Sequence, residues 1–390
     1  MLKTILIDEV TEGMYIDSIV KQKSSLKIAS RGRVTSKKAI DQLKKQGILA
    51  VAIDLSKQLN VKEKEQQHVT VNPKSEVPFE SELAMAMKLH AQGKSIQKTM
   101  LNNVAKNLSV DLAVPQEFAS SLVSSIDRNP NALMCMTKIR EKDTYLLEHS
   151  LNVSILLAHF GTHIGLAEDQ VQELALSGFL HDIGKIKIPD AILHKPGRLT
   201  DSEMDIMRKH VVYGTKVLDE MGLPDSMVTT ISEHHERLDG LGYPLGLQGE
   251  QITKFGRMIA IVDTYDAITA DRCYKAGMPS KKALQILLKD SPNKFDLALV
   301  KQFVQCVGIY PVGSLVKLDN EKVAMVLKQH PEHAIKPVVK VFYSVRGSHY
   351  LEPKELNLAA SNNTVKIVEA VIASDYKLDF NRYFNESIAL

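Results

Sequence analysis

Seven side chains between residues 149 and 263 are of the types that hold divalent metal ions: His149, His181, Asp182, His210, His234, His235 and Asp263. His149, the His181–Asp182 pair, His210, the His234–His235 pair and Asp263 each fall on a separate predicted helix or at the end of one. Helices of a bundle can aim side chains from several directions at one point. Imidazole and carboxylate without thiolate suit iron, manganese, zinc or nickel better than they suit a structural thiolate zinc site. Five histidines and two aspartates exceed what one tetrahedral ion takes. They fit two ions about 3.5–4 Å apart, bridged by an aspartate and a hydroxide.

The two adjacent pairs constrain the backbone. Neighbouring residues on a helix do not face the same way, so His234 and His235 can chelate together only if the helix ends there and the chain turns. The stretch EHHERLDGLGYP (residues 233–244) has the means: Gly240 and Gly242 free the backbone and Pro244 fixes the exit. The same geometry lets His181 serve one ion while the Asp182 carboxylate bridges both. A lone helical histidine is ordinarily a packing or surface residue. His90, His159, His163, His194, His330, His333 and His349 are read that way.

The segments around these residues are expected to be helical. DTYLLEHSLNVSILLAHF, DQVQELALSGFLHDIGK, DSEMDIMRKHVVYGTKVLDEM, MVTTISEHHE and FGRMIAIVDTYDAITA carry apolar residues at helical spacing. The third opens on Thr200-x-x-Glu203, a capping box. Ahead of them, SELAMAMKLHAQ, SIQKTMLNNVAKNL and QEFASSLVSSI are amphipathic connecting segments. The fold class is mainly α: a helical bundle with a small α/β N-terminal domain and a small β-rich C-terminal appendage. The expected organisation is an α/β unit over 1–56, a polar linker over 57–78, connecting helices over 79–128, the metal-binding helical domain over 129–310 and a β-rich tail over 311–390. In the first unit, TSKKAIDQLKKQG reads as a helix and ILAVAIDL as a buried strand. In the tail, SLVKL, KVAMVLKQH and KPVVKVFYSV alternate in the manner of strands.

The bulk numbers exclude several classes. The chain has 390 residues and a formal net charge of +3, which gives no argument for a nucleic-acid polymer or a membrane surface as partner. Three cysteines, Cys135, Cys273 and Cys306, form no C-x-x-C pair. No apolar run approaches the roughly 18 residues of a membrane span, and the N-terminus turns acidic too early for a signal segment. A reducing, cytoplasmic location is expected. Apolar stripes ahead of residue 129 leave room for a homodimer.

HDIGK (181–185) and HHERLDGLGYP (234–244) resemble the signature pair of the HD-GYP subgroup of the HD-domain metal-dependent phosphohydrolases, over roughly residues 129–310. The N-terminal unit is similar to a small domain of unknown role that often precedes HD-GYP domains, and GIYPVGSLVKL to a segment that follows them. The resemblance implies hydrolysis of a 3′,5′-cyclic dinucleotide, cyclic di-GMP or 3′,3′-cyclic GMP-AMP, to a linear product such as pGpG. It implies metal ligands at His149, His181, Asp182, His210, His234, His235 and Asp263, and a lysine beside the scissile phosphate at Lys185. It also implies nucleotide contacts at Asp266, Arg272 and Lys275. Family members with three metals carry a glutamate four residues before the first ligand histidine; here Tyr145 stands there. Two divalent ions are therefore expected, iron or manganese by the donor set, with nickel or zinc also accepted in a purified sample.

On this reading a hydroxide bridging the ions attacks phosphorus, Asp182 bridges the ions and handles the proton, and Lys185 stabilises charge near the leaving oxygen. Asp263 and Asp266 share a helix face, with Asp266 further out toward a base or behind a ligand histidine. Arg272 and Lys275 suit a second phosphate or a purine edge. Tyr243 is a candidate substrate contact, and Glu236 a partner of His234 or His235. The competing readings are a non-catalytic cyclic-dinucleotide sensor or docking module, another nucleotide phosphohydrolase of the HD superfamily, and a helical protein with incidental histidines.

Overall fold

The computed structural model describes residues 2–10, 14–22, 32–34, 40, 43–45, 47–54, 77–138, 145–270, 277–330 and 332–379. Residues 57–76 of the expected linker lie outside this set, as do 35–39, 41–42 and 46 of the first expected helix; residues 40 and 43–45 are helical. Two compact units are present, Met1–Lys74 and Ser75–Leu390.

In the first unit, strands β1 (Leu2–Leu6), β2 (Tyr15–Gln22), β3 (Gly32–Arg33) and β4 (Ile48–Asp54) form an antiparallel sheet of order β1-β4-β2-β3. The apolar run ILAVAID becomes β4, paired on both edges. Its Ile48, Val51 and Ile53 pack with Ile5, Ile7 and Ile16 in a small separate core.

The second unit opens with α1 (Phe79–Ala105), α2 (Ala113–Arg128) and α3 (Pro130–Met136). The two amphipathic segments ahead of residue 105 are one continuous helix, which Gly93 does not interrupt. A Cβ at Gly93 would lie 2.6 Å from Phe118 Cζ and 2.8 Å from Leu151 Cδ1, so the glycine admits neighbouring side chains and its helix-breaking tendency is overridden by packing. Next come α4 (Tyr145–His163), α5 (Glu168–Leu180), a 3-10 turn (Ile183–Lys187) and the short α6 (Asp190–Leu193). They are followed by α7 (Asp201–Arg208), α8 (His210–Glu220), α9 (Asp225–Ser232), α10 (Lys254–Thr269), α11 (Ser280–Asp290) and α12 (Leu297–Val307).

The capping box starts α7: Thr200 Oγ1 accepts from the Glu203 amide at 3.3 Å and Glu203 Oε2 accepts from the Thr200 amide at 2.7 Å. The single helix expected over 201–221 is two. At Lys209 the amide bonds back only three residues, to Ile206 O at 3.2 Å, and the tightened turn separates α7 from α8. The core joins the faces of α4, α5, α10 and α12 through Leu157, Phe160, Phe179, Ile261 and Phe303, all buried. Phe160 and Phe303 meet edge to face, with centroids 5.3 Å apart.

Strands β5 (Leu315–Leu318), β6 (Lys322–Lys328), β7 (Val338–Ser344), β8 (His349–Asn357) and β9 (Ile367–Val371) form an antiparallel sheet of order β8-β7-β6-β5-β9. Successive side chains of a strand face opposite sides. Leu315, Val323, Met325 and Phe342 therefore join the helical core, while Val316, Leu318, Ala324, Val326 and Val339 make a core of their own. No described helix is long and apolar enough to cross a membrane.

Among the described glycines, Gly184, in the turn after α5, is packed hardest against neighbouring backbone. A Cβ there would collide with the carbonyl oxygen of His210 and with the backbone of Gly214, both in α8. Gly184→Ala must push α8 away from the turn. It is expected to cost about 1–3 kcal/mol of stability, measured by thermal or denaturant unfolding; an unchanged transition would refute the tight contact.

Candidate metal centre

Five helix termini or helix faces converge on one buried point. His149 lies in the second turn of α4; His181 caps the C-terminus of α5 and Asp182 begins the following turn. His210 is the first residue of α8, and α9 stops at Ser232, just ahead of Glu233, His234 and His235. Asp263 and Asp266 project from α10. The structure thus brings all seven expected ligand positions together, and His149, His181, Asp182, His210 and His234 are buried.

Asp182 lies between two groups of histidines. Its Oδ2 faces His149 Nε2 at 3.6 Å and His181 Nε2 at 3.3 Å, while its Oδ1 faces His210 Nε2 at 3.6 Å and His234 Nε2 at 4.0 Å. Asp263 lies across from it, with Oδ1 2.9 Å from His149 Nε2 and 3.9 Å from His181 Nε2, and Oδ2 3.5 Å from His235 Nδ1. His149, His181 and Asp182 form one cluster with metal-ligand spacing; His210, His234 and His235 form another.

Three of the rings are oriented by one local device. His181, His210 and His234 each donate from Nδ1 to the carbonyl three residues earlier: Gly178 at 2.8 Å, Met207 at 2.7 Å and Ile231 at 2.6 Å. Backbone carbonyls of a helical last turn thereby fix each ring with its Nε2 turned toward the centre. His149 uses a carboxylate instead, with Nδ1 2.8 Å from Asp266 Oδ2.

This arrangement fits cations. His210 Nε2 and His234 Nε2 face each other at 3.3 Å while both Nδ1 atoms are spent as donors. Two lone pairs so placed repel unless a positive ion lies against them. Burial lowers His210 to about 4, His235 to about 3 and His234 well below the usual imidazole range, so protons do not fill that role near neutrality. His181 Nε2 and Asp182 Oδ1 are buried without any hydrogen-bond partner, a costly state for a polar atom unless an ion completes it. Burial would lower His149, but the hydrogen bonds to Asp263 and Asp266 outweigh it and push it up to about 9. The proton it then holds between Nε2 and Asp263 occupies a position that a cation can take. Asp182, despite burial, is held well below the usual carboxylate range by His181 and Lys185, so it is an anion ready to ligate.

Three of the remaining expected positions can be placed. Lys185 Nζ is 2.5 Å from Asp182 Oδ2 and faces the centre. Tyr243 lies at the rim: its ring is 4.7 Å from that of His235, and the Arg208 guanidinium lies 5.5 Å above its centroid. Asp266, expected among the nucleotide contacts, is 1% exposed behind His149; its carboxylate orients that ring. Arg272 and Lys275 lie outside the described residues, as does the side chain of Tyr145. Glu148, adjacent to His149, faces Lys94 at 3.7 Å.

Two carboxylates that flank the paired histidines have roles that sequence reasoning missed. Glu236 touches neither histidine ring among the contacts found. It is buried and accepts from the amides of Leu245 at 2.7 Å, Gly246 at 3.1 Å and Leu247 at 3.0 Å. Glu233 accepts from the amide of Thr253 at 2.9 Å and from its hydroxyl at 2.5 Å, at the N-cap of α10. One glutamate ties the histidine turn to the GYP loop, the other to the helix of Asp263. Gly242 completes the packing: a Cβ there would lie 2.5 Å from Arg237 N and 2.7 Å from His235 O. The one available signal was the pairing of a carboxylate with each side of HH. Glu236→Ala would strip three loop amides of their acceptor, at a cost of about 1–3 kcal/mol. Hydrogen exchange is expected to rise at 245–247 while α5 stays protected; unchanged exchange there would contradict this role.

A family model described as an HD domain matches residues 133–299. A domain of unknown function, DUF3391, matches 2–114, and a KOW domain associated with HD domain matches 315–379. The chain is 33% identical over 380 residues to the cyclic di-GMP phosphodiesterase PA4108 of Pseudomonas aeruginosa, covering 94% of this chain and 92% of that protein. It is 28% identical over 241 residues to the cyclic di-GMP phosphodiesterase PdeB of Borreliella burgdorferi, covering 61% and 63% of the two chains. It is 35% identical over 156 residues to the 3′3′-cGAMP-specific phosphodiesterase 1 of Vibrio cholerae, covering 40% and 36%. The chain thus spans nearly all of the first relative and less than two thirds of the other two. Among solved structures, Bd1817, a HDG"Y"P protein from Bdellovibrio bacteriovorus, aligns with a TM-score of 0.49 at 17% identity, covering 78% of this chain and 98% of that one. Because its likeness to the Pseudomonas protein runs along almost its whole length, the chain belongs to the HD-GYP phosphodiesterase family of HD-domain proteins, carrying the DUF3391 domain ahead of its HD domain.

Proposed function

We propose that the chain hydrolyses a 3′,5′-cyclic dinucleotide, cyclic di-GMP or 3′,3′-cyclic GMP-AMP, to a linear dinucleotide such as pGpG, using two divalent ions of iron or manganese. The observation that carries this reading is the division of Asp182 between two sets of imidazole nitrogens, at 3.3 Å and 3.6 Å on one side and 3.6 Å and 4.0 Å on the other. A carboxylate so placed suits a bridge between two ions. The family supports the substrate class: the Pseudomonas relative is named for cyclic di-GMP and the Vibrio relative for 3′3′-cGAMP.

Ions held by these residues would supply positive charge against the developing phosphoryl oxygens and a water of lowered pKa as the nucleophile. His149, His181, His210, His234, His235 and Asp263 fix that position from five elements, which removes the reorganisation an open site would need. Asp182 accepts or orients the proton of the attacking water. Lys185, already in contact with Asp182 Oδ2, is within reach of the same phosphate and offsets charge on the leaving 3′-oxygen. Asp266 holds the His149 ring through Nδ1. Tyr243 and Arg208 offer an aromatic face and a guanidinium at the rim for a base or phosphate. Arg272 and Lys275 follow α10 closely enough in sequence to take the second phosphate or a purine edge.

The test is a paired hydrolysis assay. Cyclic di-GMP and 3′,3′-cyclic GMP-AMP are offered to anaerobically prepared protein loaded with iron(II) or manganese(II), beside Asp182→Ala and Lys185→Ala. Turnover of at least one substrate is expected, abolished in Asp182→Ala and reduced about 100- to 1,000-fold in Lys185→Ala, the scale of losing one electrostatic stabiliser of the transition state. Binding of a dinucleotide without turnover under either metal would overturn the enzyme reading in favour of a sensor.

A further inference from the structure

A cavity of about 570 Å3 lies where the helical bundle meets the C-terminal sheet. None of its lining residues is a candidate metal ligand. It sits beyond the end of α3, beside Thr269, between the start of α11 and the segments around Tyr310 and Ala373. Successive helix residues are rotated by about 100°, so Tyr265, against which Lys138 rests, lies roughly 160° around α10 from Asp263.

Its wall combines cationic and apolar chemistry. Lys138 Nζ lies 3.3 Å from Tyr265 OH, 3.2 Å from Ser280 Oγ and 5.1 Å from the Tyr265 ring centroid. Its partners are neutral, and no carboxylate is paired with it among the described residues. A half-buried ammonium ordinarily has an anion. Lys281 Nζ, on the same wall, lies 5.8 Å from the Tyr310 ring centroid, likewise with no carboxylate paired among the described residues. Ser314 Oγ, also on the wall, is buried without a hydrogen-bond partner. Asp379, an exposed residue, is the lining carboxylate among the described residues. Ile309, Leu315, Val371 and Ile372 supply the apolar surface. The volume lies within the range of about 300–1,000 Å3 typical of small-ligand sites.

We propose that this cavity binds a phosphate-bearing small molecule of nucleotide size, with Lys138 and Lys281 on the phosphate and Tyr310 and the aliphatic wall against the remainder. The site is independent of the metal centre and of the reaction proposed for it.

The experiment is hydrogen exchange on the full chain, titrated separately with GMP, guanosine and inorganic phosphate. GMP is expected to protect residues 309–315 and 370–374, phosphate to protect them more weakly, and guanosine to leave them unchanged. Protection at 233–245 reports binding at the metal centre and is scored apart. Lys138→Met with Lys281→Ala should raise the GMP concentration needed at the cavity by roughly tenfold or more, the scale of losing a charge-assisted hydrogen bond. Lys281→Ala alone, at an exposed position, should raise it measurably without disturbing the fold, and unchanged exchange in α4 checks that both variants are folded. Absence of protection at the two segments up to millimolar GMP would overturn the proposal. So would protection by guanosine equal to that by GMP, or protection indifferent to both lysine variants.

Discussion

The buried carboxylate of Asp182 is the constraint on which the rest of the bundle depends. An anion at 2% exposure is costly unless positive charge surrounds it. Around it are four imidazole Nε2 atoms within 4.0 Å and one ammonium at 2.5 Å. Two of those imidazoles, His210 and His234, are kept neutral by burial and aim lone pairs at it. The cluster is rich in ligands and poor in cations, a condition that bound metal would resolve. Every helix that ends here contributes either a ligand or the carbonyl that orients one.

That convergence explains several features away from the centre. Helix α9 stops before Glu233 so that adjacent histidines can both turn inward, and Glu233 and Glu236 anchor the released backbone to α10 and to the loop after Pro244. Gly184 lets the turn carrying Asp182 rest against the backbone of α8, which sets the separation of Asp182 from His210. Asp266, one turn beyond Asp263, spends its carboxylate on His149. The catalytic potential is thus produced by backbone geometry as much as by the ligand side chains, and the large core formed by α4, α5, α10 and α12 keeps that geometry rigid.

Much of this was legible in residue types. Metal donors announce themselves because their chemistry does not depend on packing, and the run EHHERLDGLGYP can place two imidazoles together only at a helix end. The strand run ILAVAID and the Thr200–Glu203 box were equally local signals. What could not be read depends on atoms far apart in sequence. The segments on either side of Gly93 read as separate amphipathic stretches until Phe118 and Leu151 are seen to fill the glycine's space. Glu236 reads as surface or as a histidine partner until three amides, nine to eleven residues later, are found pointing at it. Asp266 reads equally as a nucleotide contact or as a partner of a ligand histidine, and only its burial against His149 decides between them. The break at Lys209 follows from the demand that His210 begin a new helix aimed at Asp182, which no helical propensity encodes.

The central claim is that this ligand set holds two ions bridged by Asp182. The most direct measurement is metal content per chain by elemental analysis, on protein loaded anaerobically with iron(II) or manganese(II) and desalted, in the natural sequence and in Asp182→Asn. The account predicts two ions per chain in the former and the loss of at least one in the latter. A chain that retains no ion, or one that holds both ions equally well without the Asp182 carboxylate, would contradict it.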